Sequence, residues 1–243
     1  MELKGRTALV TGAGVRVGRA IAIALAGQGM RVAVHYAHSA AAARETVAEI
    51  VGEGGDADVF QADLTEGTVP TRLVSAAVKR FGALDVLVNS AAVMLRTPVG
   101  QVSLEDWDNM FALNLRAPFF LSQAASGVLG ERNGAIVNIA DLAAFETWPG
   151  YVPHSISKAG VVQMTRGLAH ALAPKVRVNA VAPGTVLLPD DWGPEAGERL
   201  TSTTPLGRAG SPADVTDAVL YLLGADYVTG ETIIVDGGRH VRY

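Results

Sequence analysis

Three side chains that can exchange protons, those of Tyr151, His154 and Lys158, follow one another at intervals of three and four residues. This spacing places them on one face of a helix, provided that the helix already includes Tyr151. His154 can act as a general acid near neutral pH, and Tyr151 is a second candidate donor. Lys158 would favour a neutral imidazole, whereas the carboxylate of Asp141 would favour the imidazolium. The sequence leaves open which of these groups donates a proton, or whether catalysis has been lost.

A glycine-rich segment, residues 11–18, follows the first predicted strand and opens the first predicted helix. Its glycines would let the backbone turn tightly and approach a pyrophosphate, whose charge the amino end of the helix would meet. The spacing departs from the GxGxxG fingerprint, because Gly14 and Gly18 are one residue too far apart. The position between a strand and a helix nevertheless predicts a dinucleotide site.

The end of the second predicted strand favours NADPH over NADH. An NADH site normally has an Asp or Glu there, about 20 residues beyond the loop, but segment 34–39 contains no acid. Arg16, with Ser39 and either His35 or His38, would instead receive a 2′-phosphate through charge-assisted hydrogen bonds. Residues 3–44 contain six cations and no carboxylate, which agrees with this preference. We therefore expect NADPH as the cofactor.

Seven strand-like runs alternate with helical segments along the chain. The strands are predicted at 7–11, 31–36, 57–61, 84–89, 135–139, 176–181 and 232–235, and the helices at 17–28, 40–51, 68–81, 103–129, 151–173 and 212–223. This alternation predicts an α/β fold: one doubly wound Rossmann-type domain over residues 1–243, with a seven-stranded parallel sheet and helices on both faces. Prolines and glycines in residues 188–204 predict a loop that covers the substrate.

Several motifs in this order resemble the short-chain dehydrogenase/reductase family over nearly the whole chain. The TGxxxGxG loop matches residues 11–18, with Arg16 in place of the middle glycine, and the NNAG motif appears as residues 89–92. The adenine-contacting aspartate corresponds to Asp63, the structural asparagine to Asn114, and the PG motif to residues 183–185. The loop and the resemblance together assign cofactor contacts to Gly12, Arg16, Val17, Gly18, His35, Tyr36, Ser39, Asp63, Leu64, Asn89, Ala91, Lys158, Pro183, Gly184, Thr185 and Val186.

A narrower resemblance is to the pteridine reductases, which carry an arginine in the glycine loop, a similar HYxxSAAxA stretch (residues 35–43) and an aspartate, here Asp141, in place of the family's catalytic serine. It implies that Arg16 touches both cofactor phosphate and substrate. Two positions depart from the pattern: His154 replaces the catalytic tyrosine, and Met94 replaces an aromatic residue that stacks on the pterin. The implied catalytic set is Asp141, His154, Lys158, Asn114 and Tyr151; the implied substrate contacts are Arg16, Met94, Asp141, Tyr151 and Trp192.

These features predict NADPH-dependent hydride transfer to a C=N or C=O group of a pterin-like or other planar small molecule. Met94 and the breadth of the family leave a general carbonyl or 3-oxoacyl reductase as an alternative. His154 leaves a second alternative, a non-catalytic NADPH-binding regulator. The resemblance also implies a homotetramer packed through the helices at 103–129 and 151–173.

The composition narrows the class of protein further. A formal net charge of −4 over 243 residues, with no basic stripe, argues against a general nucleic-acid binder. The absence of cysteine excludes disulfides and thiolate zinc sites, and we expect no metal site. No uncharged apolar run approaches the ~20 residues that span a bilayer, and the first residues do not resemble a signal peptide. We therefore expect a cytoplasmic protein without membrane or nucleic-acid partners.

Overall fold

Seven parallel strands form the framework of the fold in the computed structural model, which describes residues 1–146, 148–187 and 194–241. The strands are β1 (Thr7–Val10), β2 (Arg31–Tyr36), β3 (Ala57–Gln61), β4 (Val86–Asn89), β5 (Ala135–Ile139), β6 (Arg177–Pro183) and β7 (Thr232–Val235). They form one sheet in the order β3-β2-β1-β4-β5-β6-β7. The predicted fold class is confirmed, since a strand order that reverses beside β1 defines a doubly wound sheet.

Helices connect the strands and cover both faces of the sheet. Those of the described residues are α1 (Arg16–Gly27), α2 (Ala40–Gly52), α3 (Val69–Phe81), α4 (Leu104–Phe111), α5 (Ala117–Glu131), α6 (Val152–Leu172), α7 (Pro194–Ser202) and α8 (Pro212–Gly224). Within β4, Val86 and Val88 pack into a core with α1 and α8, while Leu87 packs into a core with α3 and α5. Successive strand residues point to opposite faces of the sheet. Because helices cover both faces, residues at successive positions are buried, and the strand sequence is a continuous apolar run.

Two predicted segments differ from the structure. The helix predicted at 103–129 is interrupted by a π-helical turn, Ala112–Arg116, between α4 and α5. Part of the predicted loop at 188–204 is α7, because Pro194 and Glu195 are residues that favour the first turn of a helix rather than only loop signals. Residues 188–193 lie outside the described residues. Among the described helices, none is long and apolar enough to cross a membrane.

Candidate active site

A cleft of about 1130 Å³ is formed by residues that directly follow β1, β2, β4, β5 and β6. Parallel strands end at the same edge of the sheet, which is where ligands bind in this class of fold. Fourteen of the residues predicted to contact the cofactor line the cleft: Gly12, Arg16, Val17, Gly18, His35, Ser39, Asp63, Leu64, Ala91, Lys158, Pro183, Gly184, Thr185 and Val186.

The glycine loop has a close backbone approach that only glycine allows. Gly12 has a φ of +65°, and a Cβ at this position would stand 2.9 Å from the Cα of Ala91. A Cβ at Gly18 would overlap the carbonyl oxygen of Gly12. Val15, the residue before α1, offers no side-chain cap, and the first turn of α1 has no acid. The free N–H groups at this helix end therefore suit a phosphate.

Arg16 occupies the left-handed region of backbone conformation, with a φ of 53°. This is the position where the resemblance places a glycine. A non-glycine residue pays about 1–3 kcal/mol for such a conformation, and this strain is typical of functional sites. The Arg16 Nη2 donates a hydrogen bond of 3.3 Å to the carbonyl of Leu187. Its side chain therefore connects the glycine loop with the segment that follows β6.

His35 has a structural role in place of the predicted contact with the 2′-phosphate. Its ring is 2% exposed; Nδ1 accepts a hydrogen bond from the N–H of Gly12 at 3.1 Å, and Nε2 lies 3.0 Å from the carbonyl of Ala62. Burial lowers the pKa of His35 to about 4, so the ring is neutral. The two nitrogens thus connect the glycine loop after β1 with the segment after β3. His38 and Ser39 line the cleft at this end.

Two other predicted cofactor residues are turned into the protein. Tyr36 is packed in the core on the α1 face of the sheet. The side chain of Asn89 is buried and donates to Asn138 Oδ1 at 2.8 Å and to Ser122 Oγ at 3.3 Å. Each residue ends its strand and points into a face of the sheet, and neither lines the cleft. Asp63 does line the cleft, and two hydrogen bonds from Thr65 lower the pKa of its carboxyl group.

Asp141, His154 and Lys158 all line the cleft. Asp141 follows β5, and its Oδ1 accepts from the N–H of Ala143 at 2.8 Å. Its Oδ2 lies 3.5 Å from Nε2 of His154, without hydrogen-bond geometry. The His154 side chain is only 2% exposed, and its Nε2 has no hydrogen-bond partner among the described residues. A buried nitrogen in this state is available to a ligand oxygen.

Asn114 lies beside His154 and connects it with the segment after β4. Its Oδ1 accepts from the N–H of Val93 and its Nδ2 donates to the carbonyl of Val93, both at 2.8 Å, which fixes the orientation of the amide. The same Nδ2 donates to Ser157 Oγ at 3.1 Å and lies 3.5 Å from His154 Nδ1. Both N–H groups of this amide are used by Val93 and Ser157, and Nδ1 of His154 lies beside the amide at the limit of hydrogen-bond distance.

Lys158 is buried, and its ammonium donates to the carbonyl of Ile139 at 2.9 Å. Burial lowers the pKa of Lys158 to about 8, against the opposing charge of Asp141. The lysine therefore changes its charge near physiological pH.

Tyr151 lines the cleft but does not belong to α6, which begins one residue later at Val152. The condition for placing all three proton-exchanging residues on one helix face is therefore not met. The ring of Tyr151 packs edge-on against Trp148, with centroids 6.3 Å apart. Met94 lines the same part of the cleft and is 47% exposed. Trp192, the remaining predicted substrate contact, lies outside the described residues.

The cleft also contains residues that the sequence did not single out, notably Arg96, Trp148, Leu187 and Arg239. Arg96 lies on the segment after β4 and Leu187 on the segment after β6, where a doubly wound sheet predicts ligand contacts. Trp148 precedes α6, and Arg239 belongs to a short 3₁₀ helix, Arg239–Val241. No local motif marks Trp148 and Arg239 as cleft residues, because their position in the cleft depends on how distant segments pack together.

Comparison with known proteins agrees with this geometry. The family model described as enoyl-(acyl carrier protein) reductase matches residues 12–240. A 3-oxoacyl-[acyl-carrier-protein] reductase of Synechocystis sp. is 39% identical over 241 residues, covering 97% of each chain. The crystal structure of angucycline C-6 ketoreductase LanV with bound NADP has a TM-score of 0.92 and 34% identity, covering 99% of this chain and 98% of that one.

A 7α-hydroxysteroid dehydrogenase, solved with NADH and 7-oxo glycochenodeoxycholic acid, has a TM-score of 0.93 and 32% identity, covering 98% of this chain and 95% of that one. The chain belongs to the short-chain dehydrogenase/reductase family. It is an NAD(P)-dependent oxidoreductase of that family.

Proposed function

We propose that this chain is an NADPH-dependent reductase of a ketone carbonyl, with His154 as the proton donor. The observation that carries the proposal is that His154 lines the cleft while its buried Nε2 has no hydrogen-bond partner among the described residues. The carbonyl oxygen of a substrate would accept its proton. Asp141 and Lys158 line the same cleft, so the reacting carbonyl group would lie beside their side chains.

The cofactor preference rests on charge at the glycine loop. The amino end of α1 and the close approach at Gly12 fit a pyrophosphate. Arg16, His38 and Ser39 line the end of the cleft where a 2′-phosphate would bind, and the loop has no carboxylate to repel it. Arg16→Ala should weaken the binding of NADPH far more than that of NADH in a fluorescence titration. Equal loss for both cofactors would contradict the preference.

The reaction reduces a ketone to an alcohol. NADPH, when bound, would supply the hydride for the carbonyl carbon. His154, as the imidazolium, donates its Nε2 proton to the oxygen, so the C=O bond becomes a CH–OH group, and solvent returns a proton to the neutral ring. Lys158 contributes a positive charge close to the oxygen where negative charge develops. Asn114, which two hydrogen bonds to Val93 hold in place, lies 3.5 Å from Nδ1 and helps to orient the ring.

The choice of a ketone over a pterin follows the named relatives. The Synechocystis relative is named for a 3-oxoacyl substrate and LanV for ketoreduction, and the names of the three reported relatives do not refer to pterins. The aromatic residue that pteridine reductases use after the fourth strand is Met94 here. We therefore favour a 3-oxoacyl compound or a related small ketone, and the pterin remains one arm of the test.

The test measures NADPH consumption with a 3-oxoacyl thioester, a small diketone and a dihydropterin. His154→Ala should lower kcat by about 10²–10⁴-fold, the usual contribution of a general acid, with little change in NADPH affinity. His170→Gln, an exposed histidine of α6, is the matched control and should behave as the wild type. Full activity in His154→Ala together with loss in Tyr151→Phe would make Tyr151 the donor. NADPH binding without turnover of any substrate would favour the regulator.

We also propose that the chain forms a homotetramer through α4, α5 and α6. Large apolar side chains of these helices are exposed, among them Trp107, Phe119 and Ile156. Phe119 and Met164 line the same surface hollow of α5 and α6. Exposed apolar surface of this kind is typical of contacts between subunits. Light scattering should give the tetramer mass for the wild type and a lower mass for Phe119→Glu.

A further inference from the structure

We propose that Trp148 is the wall against which an aromatic, planar part of the substrate stacks, and that Glu146 and Arg239 hold this wall in place. The proposal deepens the proposed function, because it names a substrate class for the same cleft. The segment after β4 has Met94 at the position where pteridine reductases have an aromatic residue. In the described cleft, the aromatic residues come instead from the segment before α6, as Trp148 and Tyr151.

The indole of Trp148 is fixed by a polar chain rather than by packing alone. Its Nε1 donates to Oε2 of Glu146 at 2.8 Å. The same carboxylate oxygen lies 3.6 Å from Nε of Arg239, and both charged side chains are less than one fifth exposed. Partly buried ion pairs hold their geometry better than exposed ones, because solvent screens them less.

Arg239 connects this chain of polar contacts to the segment that follows β6. Its Nη1 donates to Oγ1 of Thr185, on the segment that follows β6, at 3.3 Å. Its guanidinium carbon lies 5.8 Å from the centroid of the Trp148 ring, within the range of a cation–π contact. Trp148 is therefore held by Glu146 at the indole nitrogen and by Arg239 over the ring.

The rings form an apolar surface that a ligand would cover. Trp148 is half-buried and lines the cleft, with Tyr151 edge-on to it at 6.3 Å. Met94 adds exposed apolar surface in the same cleft. A rigid indole favours flat aromatic ligands over saturated ligands of equal size, because the ring–ring contact adds to the burial of apolar area. The geometry therefore points to a ketone that carries an aromatic ring.

The experiment compares 1-tetralone with trans-1-decalone, two ketones with the same carbon skeleton of which only the first is aromatic. Their binding to the NADP⁺ complex is measured by quenching of tryptophan fluorescence or by competition, so that no turnover is needed. The wild type should bind 1-tetralone about tenfold more tightly. Trp148→Leu should remove this preference, Trp148→Phe should retain part of it, and Glu146→Gln should reduce it.

Tyr227→Leu is the matched control, because Tyr227 is a fully exposed aromatic residue that does not line the cleft. It should keep the preference for 1-tetralone. NADP⁺ affinity, unchanged in every variant, shows that the cleft remains folded. A wild type without the preference, or a Trp148→Leu variant that keeps it, would overturn the proposal. Preferential binding of 1-tetralone, without turnover of it, the 3-oxoacyl thioester, the diketone or the dihydropterin, would support the wall while refuting the proposed function.

Discussion

Lys158 should make the stability of the protein depend on pH in the alkaline range. Burial lowers its pKa from the ordinary 10.5 to about 8 in the folded state. Between these two values the unfolded chain binds more protons than the folded chain, so the free energy of unfolding rises with pH in that window. One pKa unit corresponds to about 1.4 kcal/mol, so the full gain from pH 8 to pH 10.5 is about 3 kcal/mol.

Replacement of Lys158 by Met isolates this contribution. The variant loses the titrating group, and its apolar side chain no longer donates to the carbonyl of Ile139, a loss of about 1–3 kcal/mol that does not depend on pH. Urea unfolding at several pH values should show that the stability difference, wild type minus variant, increases by about 3 kcal/mol from pH 7.5 to pH 10.5.

A matched control separates this effect from general alkaline titration. Lys79 is an exposed lysine of α3, so its ammonium is hydrated in both states, and Lys79→Met should give a difference that is flat across the window. If the difference for Lys158→Met were also flat, the ammonium would not be desolvated in the folded protein. A difference that falls with pH would mean that the charge of Asp141 outweighs burial.

Three further results are expected. Burial lowers the pKa of His35 to about 4, so the unfolded chain takes up this proton first as the pH falls from 6.5. Urea unfolding should therefore show that the free energy of unfolding falls by about 3 kcal/mol by pH 4, and that it falls less steeply in His35→Gln. Asn114→Leu leaves the N–H and C=O of Val93 without their side-chain partner, so it should cost about 2–5 kcal/mol of stability in the same assay and lower kcat. Arg16→Gly relieves a left-handed residue, so the unfolding free energy should rise by about 1 kcal/mol while NADPH binding weakens; a less stable variant would refute the strain.

The fold was predictable because its signals are local. Segment 31–36 is an apolar, β-branched run, and it forms β2 with the predicted bounds. A strand covered on both faces needs apolar residues at successive positions, so the run itself marks the strand. The start of α8 was equally readable, since the pair Ser211 and Asp214 forms the reciprocal hydrogen bonds of a capping box.

The site was predictable only in part, because its decisive contacts join distant segments. The two ring nitrogens of His35 contact Gly12, which follows β1, and Ala62, which follows β3. Because these partners are distant in the chain, the sequence could not reveal that both nitrogens are already in contact with the backbone. The π-helical turn around Asn114 keeps the apolar pattern of a long helix, so the sequence did not mark the interruption or the contact of Asn114 with Val93. Trp148 and Arg239 are far apart in the chain, so no local motif could predict that the guanidinium lies over the indole ring.

A histidine at position 154 places different demands on the site from a tyrosine. A phenol has one polar atom, whereas an imidazole has two nitrogens, and each needs a partner when the ring is buried. Asn114 approaches Nδ1, and Nε2 is left facing the cleft near Asp141 without a hydrogen bond to it. A buried donor without a partner costs about 1–3 kcal/mol, which a carbonyl oxygen would recover on binding. Under the proposed function, the atom that binds the substrate oxygen is therefore the atom that protonates it.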